Sequence, residues 1–93
     1  MTAREVSLAF RIREALEAAG AYVVTTHGEP MGRVGVTDFL ICWKGDFFGM
    51  EVKRPGNAPT KAQLRQMALI REAGGWAGVV HSREEALAAL GIG

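Results

Sequence analysis

A chain of 93 residues is long enough for one hydrophobic core and excludes a second domain. Its 48% hydrophobic and 23% charged residues exclude a disordered polar chain. The net charge of +1 argues neither for nor against a polyanionic partner, and the single cysteine, Cys42, excludes an internal disulfide.

In chain order, Thr2-x-x-Glu5 has the form of a capping box, and residues 3–19 then read as a helix. Leu8, Ala9, Ile12, Leu16 and Ala19 share one face of it, and Gly20 stops it. Residues 21–26 are short and β-branched, a strand; 27–35 form a glycine-rich loop containing His27, a residue type most often simply exposed there. Strands are expected at Val36–Trp43 and about Phe47–Lys53, joined through Lys44-Gly45-Asp46. The loop 54–59 breaks the chain before a helix capped by Thr60 and closed by Gly74-Gly75. Trp76–Val80 is a further strand, and Ser82-x-x-Glu85 opens a last helix over 83–90. The order is αβββαβα, and the strand–helix–strand unit from 47 to 80 predicts a right-handed parallel crossover. No apolar run approaches the roughly 18 residues of a membrane span, and no charged leader precedes an apolar stretch. One cysteine and two histidines are too few for a zinc site of those residues, and a reducing cytoplasm is the expected setting.

The chemistry concentrates in GMEVKRPGNAPTKAQ, residues 49–63. If the hairpin turns through Lys44-Gly45, Asp38 lies opposite Glu51; if through Gly45-Asp46, a better turn pair, Asp38 lies opposite Lys53 with Glu51 on the diagonal. Both registers place Asp38, Glu51 and Lys53 on one face, because side chains alternate with period two. Two carboxylates about 5–8 Å apart repel unless a cation sits between them, and hard oxygen ligands suit magnesium or manganese. Glu5 falls within the apolar arc of the first helix, so it either caps the helix or points inward to a polar site. Taken singly, Asp38 reads as a strand-start aspartate, and Glu51 with Lys53 as an exposed ion pair. All three on one face, beside Phe39, Leu40, Ile41 and Val52, point to metal-assisted phosphodiester hydrolysis, with lysine stabilising charge on a phosphate. From Lys53 to Arg71 there are five basic residues and no acid, a local footprint for a polyanion or a solvated helix face. For Arg71 the solvated face is the expectation.

At these residues the chain resembles the PD-(D/E)xK nuclease superfamily, and most closely its VRR-NUC branch. The resemblance rests on Gly35-Val36-Thr37-Asp38, on Met50-Glu51-Val52-Lys53, on Thr60-Lys61-Ala62-Gln63 opening a helix, and on Gly75 before the strand ending Val79-Val80. It implies an α/β fold over residues 1–93, a restriction-endonuclease-like αβββαβ core whose central mixed sheet is flanked by helices. It implies Asp38 and Glu51 as side-chain ligands of Mg2+ or Mn2+, the carbonyl of Val52 completing the site, and Lys53 as the catalytic lysine. Glu5 matches the first-helix glutamate of many relatives, and Gln63 the second-helix glutamine, although Thr60-x-x-Gln63 is also a capping box. Thr37 departs from the motif, which usually has proline there, but no ligand is lost. The implied substrate is DNA, contacted by Arg33, Arg54, Lys61 and Arg65. Chains of this size in the branch resemble Holliday-junction resolvases, which act as homodimers on branched DNA. Trp43, Phe47, Phe48 and Trp76 either furnish such an interface or fill the core.

Two other readings compete. A nucleic-acid-binding module of the same fold would bind without metal-dependent cleavage, and an interaction domain would not bind DNA even at low salt. The chain has no G-x-x-x-x-G-K-[ST] phosphate loop and no G-x-S-x-G elbow; Ser82 beside His81 is better explained as a helix cap.

Overall fold

The structure is a computed structural model that describes residues 3–26 and 33–92. Thr2 of the expected first capping box, His27 and most of the glycine-rich loop lie outside the described residues. The elements are α1 (Ala3–Ala18), β1 (Tyr22–Thr25), β2 (Phe39–Trp43), β3 (Asp46–Val52), α2 (Lys61–Glu72), β4 (Trp76–Val80) and α3 (Arg83–Ala89). The four strands form one mixed sheet in the order β1-β2-β3-β4, with β1, β2 and β3 antiparallel to one another in succession and β4 parallel to β3. This is the α/β, restriction-endonuclease-like core expected from the sequence.

Period-two alternation divides the sheet into two faces. Phe39 and Ile41 of β2 and Phe48, Met50 and Val52 of β3 point to the side where Ile12 and Leu16 of α1 and Ala86 of α3 complete the core. Ile12, Leu16 and Met50 are wholly buried, so the stripe read from α1 is the one that packs. The opposite face is covered by α2 over β3 and β4. That close approach uses Gly49, where an added Cβ would meet Ile70 Cδ1 and Thr37 Oγ1.

One expectation is corrected and one open alternative is decided. The β2 ladder begins at Phe39 rather than Val36, because side chains take over the main-chain groups before it. Thr26 Oγ1 donates to the Thr37 carbonyl at 2.9 Å, and Thr37 Oγ1 to the Phe39 carbonyl at 3.0 Å. The hairpin turns through Lys44-Gly45, with Trp43 paired to Asp46, instead of through Gly45-Asp46. Both turn residues have positive φ (50° at Lys44, 87° at Gly45), the twist that suits a two-residue hairpin.

Candidate metal centre and nucleic-acid interface

Asp38 stands one residue before β2, and continuing the register of Phe39 with Met50 places it opposite Glu51. Asp38 Oδ2 accepts the main-chain N–H of Val52 at 2.9 Å, which draws the carboxylate in toward β3. Glu51 is 2% exposed, on the face that α2 covers. Its Oε2 accepts from Gln63 Nε2 at 3.0 Å and lies 3.6 Å from Lys53 Nζ. Its Oε1 is buried and has no hydrogen-bond partner among the described residues.

The electrostatics record the crowding. Burial, and then the neighbouring Asp38 charge, push the Glu51 carboxyl up to about 7, against the opposing pull of Lys53. Asp38 is also raised, by burial first, although the Val52 N–H, a hydrogen bond shared with Glu51 and the Lys53 charge all act against this. The Glu5 charge adds to the rise at Asp38, so the first helix reaches the same site. Glu5 is 7% exposed and its Oε2 accepts from Asn57 Nδ2 at 3.2 Å, tying α1 to the loop after Lys53.

Gln63 does both things that the sequence left open. Its Oε1 accepts the Thr60 N–H at 2.8 Å while its own N–H donates to Thr60 Oγ1 at 3.2 Å, a complete capping box. With the amide oxygen held by the cap, the amide nitrogen is left for Glu51. The cap therefore orients the side chain that orients the carboxylate.

The basic residues divide into two groups. Lys61 and Arg65 are exposed on α2, and Arg33 reaches Gln66 of the same helix at 3.5 Å. Arg54 turns instead toward α1, where it lines a cleft with Arg4, Ser7, Leu8, Arg11, Pro55 and His81. Arg4 and Arg11 escape the sequence reading. The signal is there, since residues 4, 7, 8 and 11 have helical spacing, but alone it reads as a solvated face. Arg71 is not merely solvated: its Nε and Nη2 both donate to the Ala77 carbonyl, at 3.1 and 2.8 Å.

The solved structures include a VRR_NUC domain that superposes with a TM-score of 0.75 at 26% identity, covering 95% of this chain and 97% of that one. No family model matches the chain, and no curated protein does. Structural homology to that domain places the chain in the PD-(D/E)xK-like nuclease superfamily. A nucleic-acid-related function follows from that placement. Among the described residues no three His, Cys, Asp or Glu side chains are grouped to hold a metal ion, so the facing carboxylates of Asp38 and Glu51 are the nearest arrangement to one.

Proposed function

We propose that this protein is a Mg2+- or Mn2+-dependent endonuclease that hydrolyses phosphodiester bonds in branched DNA. The observation that carries the reading is the facing pair Asp38 and Glu51, with Glu51 Oε1 buried and unpartnered among the described residues and Lys53 beside Oε2. A buried carboxylate oxygen without a donor is costly, and a divalent cation relieves that cost. The residues thus fit a hard cation, which Asp38, Glu51 and the Val52 carbonyl would hold. Few protein ligands suit magnesium, which keeps several waters for a substrate phosphate. When bound, the cation supplies Lewis-acid stabilisation of phosphate charge and a more acidic water.

The chain's own groups do the rest. Lys53, 17% exposed at its side chain, holds a positive charge where negative charge develops on the phosphate. Gln63 fixes the plane of the Glu51 carboxylate, and Glu5 adds negative charge from α1. Lys61 and Arg65 with Arg33 hold the strand on one side through phosphate contacts, and Arg54 does so on the other. The protein works as a homodimer in a reducing cytoplasm, a setting that suits the exposed thiol of Cys42.

Purified protein is expected to cut at least one of four DNA forms (single-stranded, duplex, flap, four-way) with magnesium or manganese, and EDTA should abolish cleavage. Lys53→Ala should remove cleavage while DNA affinity falls only modestly, as for one lost phosphate contact. That no three such ligands cluster among the described residues favours a second reading, binding without catalysis. It holds if wild-type protein binds all four forms and cuts none.

A further inference from the structure

The cleft on the α1 side of the metal centre has no place in the catalytic arrangement, yet its chemistry is specific. It holds about 320 Å³ and is lined by the three guanidinium-bearing residues Arg4, Arg11 and Arg54, by Ser7 and by His81, with Leu8 and Pro55 as apolar wall. Among the described residues no acidic side chain lines it. The nearest acid on α3, Glu85, is turned to His81: its Oε1 lies 3.0 Å from Nδ1 and accepts the His81 main-chain N–H at 3.1 Å. The His81 ring pulls the Glu85 carboxyl below its ordinary range, and with Nδ1 turned to Glu85 the ring can donate from Nε2 to a phosphate oxygen only as the imidazolium.

Three parts of the chain far apart in sequence build this wall. Arg4, Ser7, Leu8 and Arg11 form one stripe of α1, Arg54 and Pro55 follow β3, and His81 follows β4. In sequence, Arg4 precedes Glu5 and Arg54 follows Lys53. Lys61, Arg65 and Arg33 lie with α2, on the other face of the sheet from α1. Planar guanidinium groups with a hydroxyl and an imidazolium match the oxygens of a phosphate, and a cleft this small suits one phosphate with part of its sugar rather than a base stack.

We propose that this cleft holds a phosphate group of the strand being cut, so that α1 clamps the substrate opposite α2. The proposal rests on the nuclease reading for its ligand. Phosphate of this kind comes from two sources, an internal backbone position or a strand end.

The test is binding in EDTA, where no cleavage occurs, by fluorescence anisotropy of wild type and an Arg4→Ala/Arg11→Ala variant. Both arginines are exposed, so the variant should fold, which its melting curve checks. The expected result is a loss of about tenfold or more in affinity and a salt slope smaller by about two. Arg83→Ala, an exposed arginine on α3 outside the cleft, should leave both unchanged. A loss confined to oligonucleotides with a 5′- or 3′-terminal phosphate identifies a strand end; an equal loss without terminal phosphates identifies the backbone. Wild-type affinity and salt slope in the double variant overturn the proposal. A wild type that never cleaves, but loses binding on removal of Arg4 and Arg11, overturns the hydrolase reading and leaves the cleft standing.

Discussion

Glu51 holds a proton more tightly in the folded chain than an exposed glutamate does, because burial and Asp38 both penalise its charge. The sign of the resulting pH dependence follows. A raised acid contributes stability that is complete below its unfolded value of 4.5 and lost as pH rises through about 7. In EDTA the melting temperature should therefore fall from pH 5.5 to pH 8, and Glu51→Gln should remove most of that fall. Magnesium at pH 8 should restore the wild type by several degrees and Glu51→Gln far less, since a cation takes the proton's place. Parallel pH slopes for the two proteins in EDTA would remove the strained pair from the account. The pair itself was legible, because period two puts Asp38 and Glu51 on one face in either register. The double duty of Gln63 was not, since a capping box and a site amide look the same in sequence. Thr37 was legible only as a departure from proline. Its hydroxyl stiffens the approach to Asp38 by bonding the Phe39 carbonyl, a substitute that composition does not reveal.

Between elements, the placement of Asp38 relative to α2 depends on one close approach. Gly35 has φ +85°, and a Cβ there would stand 2.5 Å from the main-chain carbon of Ala62 and 2.7 Å from the Gln63 nitrogen. Backbone atoms at the start of a capped helix do not give way as a side chain does. Gly35→Ala is expected to cost at least about 2 kcal/mol, from left-handed strain and overpacking together, read as a lower urea midpoint. Gly45→Ala is the control: it shares the positive φ but has nothing within 4 Å, so it should cost only the strain. Equal losses in the two variants would show that Gly35 answers to backbone conformation alone. Element types and order were readable from capping residues and periodicity. The hairpin register was not, because the alternatives differ by two residues and leave every face unchanged.

For the molecule as a whole, one part of the sheet has no cover among the described residues. Tyr22, Cys42 and Phe47 form a row across β1, β2 and β3 on the α2 face, and all are exposed, Tyr22 by 70% and Phe47 by 45%. Helix α2 reaches β3 and β4 but makes no comparable contact with β1 or β2. This divides the four aromatics that the sequence left open between interface and core. Phe48 is buried and tilts against Trp76, and Trp43 packs on the core, so of those four Phe47 joins Tyr22 in the row. If the proposed homodimer uses this face, light scattering at micromolar concentration should report about twice the chain mass of 10.0 kDa. Tyr22→Asp/Phe47→Asp should then report the monomer with its fold intact. A wild type that stays monomeric both free and on DNA would exclude paired, symmetric cutting.

The partition of the site along the chain bears on how such a protein can change over generations. Asp38, Glu51, Lys53 and Gln63 come from one uninterrupted run, a hairpin strand pair, a loop and the first turn of α2, held by the Thr60 cap and the Val52 N–H. Arg4 and Arg11 of the α1 cleft come from outside that run, on an exposed stripe of the helix, while Arg54 belongs to it. Substitutions at Arg4, Ser7 or Arg11 can therefore accumulate without disturbing the carboxylate pair. If the proposed roles hold, a lineage of this fold is free to exchange its grip on nucleic acid while inheriting its carboxylate block unchanged, and new substrate preferences should arise first in the opening helix.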